Sequence, residues 1–92
     1  MERILTQHPE GKQGTNISKA KYDLMRQALL DCLTPTAEMS LQDLRTAVEN
    51  HFAGNFDGSV GWYFTTVKLD LQARGVMVVT VDAGKQQVRL NA

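Results

Sequence analysis

The stretch SVGWYFTTVKLDLQARG, Ser59 to Gly75, constrains this chain more than any other. Its apolar residues recur at helical spacing and a glycine follows, which is the stop signal of a helix. Directly after it come VMVVTV (Val76 to Val81), then Asp82-Ala83-Gly84-Lys85, then QQVRL (Gln86 to Leu90). Two β-rich runs joined by a turn of that composition predict a hairpin. The C-terminal half therefore reads as a helix from about Val60 to Arg74, closed by Gly75 in the left-handed region, that feeds two short antiparallel strands.

Two further amphipathic segments come before it. Ser18 is placed to cap a first helix, Lys19 to about Leu33, in which Tyr22, Met25, Ala28, Leu29, Cys32 and Leu33 gather on one stripe. Thr34-Pro35-Thr36 ends it, because proline has no amide to donate and disfavours a helical residue before it. Met39-Ser40 can supply a short strand. Ser40 with Asp43 then makes a near-capping box, and Met39 with Leu44 a hydrophobic staple, for a second helix starting at Leu41. Leu44, Val48 and Phe52 line its inner face, with Ala47 and His51 at the edge and Gln42, Thr46, Glu49 and Asn50 opposite. Ala53 to Gly58 is a turn that Phe56 ties to the core. Residues 1–17 read as an N-terminal arm with mobile first residues and few anchors (Ile4, Leu5, Ile17), and 18–92 as the folded domain.

In order, these elements are helix, short strand, helix, helix, strand, strand. That is an α+β chain with the order of a winged helix-turn-helix, three helices plus a small hairpin wing, and the third helix stands where such folds present a recognition helix. The connector before it is longer than in the tightest helix-turn-helix units.

Composition limits what such a domain can do. The ten lysines and arginines balance ten aspartates and glutamates, so no overall basic charge draws the chain to a phosphate backbone. One cysteine, Cys32, excludes an internal disulfide and fits a reducing compartment. Neither a signal-like apolar run near the N-terminus nor a run of membrane-spanning length is present, so a cytoplasmic location is expected. His8 and His51 are far apart, Cys32 lies on an apolar stripe, carboxylates stand singly, and no phosphate-cradling glycine motif occurs. No metal, no cofactor and no catalytic residue are expected, and the chain reads as a binding protein rather than an enzyme.

Two binding surfaces remain. Thr65, Thr66, Lys68 and Gln72 of the third helix can hydrogen-bond phosphates or base edges of double-stranded DNA, with Lys85 and Arg89 on the wing. Lys12, Lys19, Lys21 and Arg26 add cations on the arm and first helix, and all of these charges equally suit an ordinary solvated surface. On the helical wheel, Val60, Phe64, Val67 and Leu71 form the core stripe with Tyr63 on its flank, while Trp62, Leu69 and Ala73 fall about 180° away. Either the arm or Phe56 and the wing cover that second apolar stripe, or it is an exposed patch for a protein partner, most simply a second copy in a homodimer.

KAKYDLMRQALL (Lys19 to Leu30) and GWYFTTVKLDLQARGVM (Gly61 to Met77), with Gly11-Lys12 ahead of them, resemble the signatures of a small, uncharacterised family of bacterial proteins about a hundred residues long. The resemblance spans most of the chain. It implies a winged-helix-like fold and brings no activity, cofactor or catalytic residue with it. More generally the chain resembles winged-helix transcription regulators, from which its neutral charge and apolar outer helix face depart. The leading expectation is a DNA-binding or regulatory domain. The alternative is a protein-interaction module built on Trp62, Leu69 and Ala73.

Overall fold

The computed structural model describes residues 2–91. Among them the chain forms three helices and two small antiparallel sheets, so the mixed α+β class read from the sequence is the class observed. The elements are β1 (Arg3–Leu5), β2 (Asn16–Ser18), α1 (Lys19–Leu33), β3 (Met39–Ser40), α2 (Leu41–Phe52), α3 (Val60–Ala73), β4 (Met77–Asp82) and β5 (Lys85–Leu90). β1 and β2 form one sheet; β3, β5 and β4, in that order, form the other.

The caps of α1 and α2 lie where the sequence puts them, and α3 has a serine cap as well. Ser18 accepts from the Lys21 amide, Ser40 from Asp43 and Ser59 from Trp62, each relieving one of the unpaired donors that open a helix. At the end of α3 the amide of Gly75 bonds the carbonyl of Gln72, and that of Val76 bonds Leu71, which is a Schellman motif with Arg74 as the cap. The hairpin turn is tighter than the four-residue turn read from the sequence. Ala83 and Gly84 both take positive φ, and Asp82 pairs directly with Lys85. Two left-handed residues match the twist of the strands, so pairing continues to the turn itself.

The core lies where the helices meet the larger sheet. Met25, Ala28, Leu29 and Leu33 of α1 pack with Leu44 and Val48 of α2, Phe64, Val67 and Leu71 of α3, and Met77 and Val88 of the hairpin. Each such leucine contributes roughly 2 kcal/mol by leaving water. Phe56 joins this core from the turn, ring to ring with Phe52 and Tyr63.

The N-terminal segment departs from the expected loose arm. Arg3, Ile4 and Leu5 pair with Ser18, Ile17 and Asn16, and Thr6 and Ile17 are buried. Thr6 and Thr15 close the loop between these strands through an amide-to-carbonyl bond of 2.9 Å and a bond from the Thr15 amide to the Thr6 hydroxyl. A Cβ at Gly14 would overlap the Thr6 carbonyl, so this closure requires glycine there.

One buried carboxylate joins this segment to the helices. Asp70 of α3 is fully buried. It accepts from the Tyr22 hydroxyl of α1, from the Gln7 amide of the N-terminal segment at 2.8 Å, and from Arg74 Nε at 2.9 and 3.0 Å. A buried charge is tolerable only when paired and hydrogen-bonded in this way. Burial, with the bond to Asp70, pushes the Tyr22 hydroxyl up from 10.0 to about 12.

Asp70→Ala strands three donors at once and should destabilise the domain by about 3 kcal/mol in chemical denaturation. The Tyr22 hydroxyl keeps its proton longer in the folded state than in the unfolded one. Its contribution is therefore intact below pH 10 and lost as pH rises towards about 12. Tyr22→Phe should remove that part of the alkaline loss of stability, and identical pH profiles for the two proteins would show that the bond contributes nothing.

Candidate binding cleft

α3 is used differently on each side. At about 100° per residue, Tyr63, Asp70 and Arg74 take the flank towards α1 and the N-terminal segment, next to the core stripe. Gly61, Thr65, Lys68 and Gln72 take the opposite flank. Thr65 and Lys68 of that flank open onto a cleft of about 810 Å³, walled by Ser40, Leu41, Gln42, Asp43 and Arg45 at the start of α2 and by Lys85, Gln86 and Gln87 at the start of β5.

The cleft is positively charged, with Arg45, Lys68 and Lys85 against the single carboxylate of Asp43. The N-terminus of α2 adds its partial positive charge, part of which the Asp43 carboxylate offsets. Of the five ion pairs among the described residues only Arg45–Glu49, at 3.4 Å, involves a cleft cation; Lys68 and Lys85 are in none. Lys68 is half-buried, and burial lowers its pKa from the usual lysine value because nothing beside it compensates the charge.

Three of the six expected DNA-contacting residues, Thr65, Lys68 and Lys85, meet in this cleft. The others lie outside its lining. Thr66 is half-buried further round the helix. Gln72 is half-buried, and its side-chain oxygen has no hydrogen-bond partner among the described residues. Arg89 is exposed along β5 and bonds the Leu90 carbonyl at 3.4 Å. Arg45 was not anticipated, although a signal was available: on the α2 wheel it falls within the apolar arc, beside Leu41 and Phe52, where a cation is out of place. Its guanidinium lies over α3, so close that a Cβ at Gly61 would stand 2.6 Å from Nη2.

On the outer face Trp62 is 46% exposed, its ring edge-on to Tyr63 at 4.9 Å, while Leu69 and Ala73 are half-buried. The N-terminal segment docks at Asp70. The Phe56 ring meets Phe52 and Tyr63. Trp62 thus keeps nearly half its surface in water, and neither expected cover encloses it.

Among the described residues no group of His, Cys, Asp or Glu could hold a metal ion, and no helix is long and apolar enough to cross a membrane. Burial pushes the Cys32 thiol up, which disfavours its nucleophilic thiolate form.

These features describe a small α+β domain with one basic cleft between two helices and a hairpin. The chain belongs to a family of unknown function, DUF6958, whose model matches residues 3–88. No curated protein and no solved structure matches it.

The contact with Gly61 gives a selective way to disturb the cleft. Gly61→Ala should leave the melting temperature unchanged or slightly raised, since alanine favours a helix by about 1 kcal/mol over glycine and the obstructing atom is the end of a flexible side chain. It should displace Arg45, and a melting temperature lowered by many degrees would show that the guanidinium is held rigidly.

Proposed function

We propose that the domain is a winged helix that binds double-stranded DNA without catalysis, in a regulatory role, with the cleft between α2, α3 and the hairpin as its phosphate-binding surface. The observation that carries this reading is the meeting of Thr65, Lys68 and Lys85 with Arg45 around one concave opening. A helix after a helix, followed by a hairpin whose second strand lies between the first and a short strand before α2, supports the winged-helix description.

Zero net charge is compatible with this role because charge is distributed unevenly. Lys12, Lys19, Lys21, Arg45 and Arg74 are each paired with a carboxylate. Of the five cations in no ion pair among the described residues, Lys68, Lys85 and Arg89 lie on α3 and the hairpin, and the other two are Arg3 and Arg26. A phosphate in the cleft would supply the counter-charge that Lys68 lacks and raise its pKa again. Thr65 would add a hydrogen bond to phosphate or to a base edge. Contacts of this kind position a duplex and carry little sequence information. The outer face of α3, with Trp62, Leu69 and Ala73, has few groups that could read bases.

Half exposure of Trp62 supports a second reading, in which Trp62, Leu69 and Ala73 contact a protein partner or a second copy.

The two readings separate in solution. With Arg45, Lys68, Lys85 and Arg89 on phosphates, the logarithm of duplex affinity should fall against the logarithm of salt with a slope of about −3 to −4. Lys68→Ala should weaken binding for every sequence and flatten the slope by about one. The absence of any salt-sensitive complex with random duplex at low ionic strength would remove the DNA reading. On the second reading, Trp62→Ala should lower self-association or partner capture and leave the salt slope unchanged.

A further inference from the structure

We propose that the free edge of β4 pairs with the same edge of a second copy, joining two three-stranded sheets into one six-stranded sheet across a twofold axis. The inference is independent of the nucleic-acid reading and of the Trp62 surface.

β4 is the outer strand of its sheet, and among the described residues its far side pairs with nothing. The two-residue turn determines which groups face outward. Asp82 and Lys85 flank it as a hydrogen-bonded pair, so Thr80 and Val78 also bond towards β5. The amides and carbonyls of Met77, Val79 and Val81 therefore point away from the sheet. Unpaired edges are normally protected by lysine, proline, a bulge or an inward charge. From Met77 to Val81, MVVTV, there is no charge and no proline, and the register with β5 runs without a bulge. At the end of this edge Val81 is 68% exposed.

The strand is complementary to itself in one register. With Val79 opposite Val79 of the second copy in antiparallel alignment, Met77 falls opposite Val81 of the second copy, and the reverse. All three outward-facing residues then meet outward-facing partners. A shift by one residue pair leaves Met77 or Val81 facing a residue outside the strand. Directly opposed residues share a face, so Val81 of each copy would lie beside Met77 of the other and extend the apolar face that Met77, Val79 and Val88 already form.

Charge favours the same arrangement. Arg74 precedes the strand and Asp82 ends it. Antiparallel pairing places Asp82 of one copy opposite Val76 of the other, two residues from its Arg74. Parallel pairing would set like charges side by side. The symmetry is isologous and closes at two chains, because both copies use the same β4 edge; the opposite edge, β3, is only two residues long. No β4 residue lines the cleft, so pairing leaves the cleft open.

Sedimentation of the full chain across the micromolar range tests the proposal, with far-UV circular dichroism to establish that each variant is folded. The wild type should sediment as a dimer. Val79→Pro removes an outward amide without touching the bonds to β5 and should weaken the dimer roughly thirtyfold, through the two bonds lost at the axis. Val81→Lys places a charge on an already exposed position and should weaken it about tenfold or more with folding intact, which keeps the test valid if the proline variant does not fold. Trp62→Ala should remain dimeric. A wild type that is monomeric throughout the range overturns the proposal. So does a dimer that both β4 variants leave intact, or one that only Trp62→Ala dissociates.

Discussion

The buried carboxylate of Asp70 is the interaction on which the arrangement of this domain depends. Apolar packing alone would let α1 and α3 slide and rotate, since dispersion and water exclusion have little directionality. Asp70 accepts from a hydroxyl on α1, an amide of the N-terminal segment and a guanidinium one turn along α3, which are three directions fixed by covalent geometry. Once all are satisfied, rotating α3 would leave a buried charge without partners. The carboxylate thus fixes which flank of α3 is inside and, by elimination, which flank and outer face turn away from α1 and the N-terminal segment. It also helps to explain why Arg3–Leu5 and Asn16–Ser18 form paired strands, with Thr6 and Ile17 buried, where composition suggests an arm.

The fold likewise determines where charge is available. Ion pairs take up Lys19 and Lys21 of α1 and Arg74 at the far end of α3, while Arg26 of α1 is in none among the described residues. Of the five cations left unpaired among the described residues, three, Lys68, Lys85 and Arg89, belong to α3 and the hairpin. Half burial of Lys68 adds to the effect, because a partly desolvated ammonium attracts an anion more strongly than one free in water. A neutral composition therefore describes the sum of the faces and says little about any one of them.

Local signals in the sequence reveal most of the fold and only part of the site. The serine caps of α1 and α2, the glycine closing α3 and the β-branched run before Asp82 are short-range devices, and the elements they predict form within a residue or two of the expected bounds. The pairing of Arg3–Leu5 with Asn16–Ser18 is not legible in that way, because each strand has only three residues and their stabilisation comes from the core and from Asp70. In the site, Thr65, Lys68 and Lys85 could be named because a helix followed by a hairpin brings them to one side. Arg45 and Asp70 were missed for a shared reason. Each is a charge near an apolar stripe, which a wheel reads as an imperfection until the groups that meet it are known. For Asp70 those groups come from residues 48 and 63 positions away, beyond any local pattern.

The larger sheet separates the two surfaces that its position creates. β5 is central, and its first residues, with β3 and the start of α2, wall the cleft. β4 is peripheral and contributes to that wall only through the turn that returns the chain as Lys85. A partner strand added to β4 would continue the sheet away from the cleft, and the two clefts of such a pair would be related by the twofold axis between the β4 strands. One short hairpin would then serve both ends: its turn carries a cation to the cleft, while its outer edge sets the spacing of the paired domains. This division would explain why β4 can stay uncharged from Met77 to Val81 beside a strand that carries Lys85 and Arg89. The two strands share a ladder of hydrogen bonds but face different neighbours.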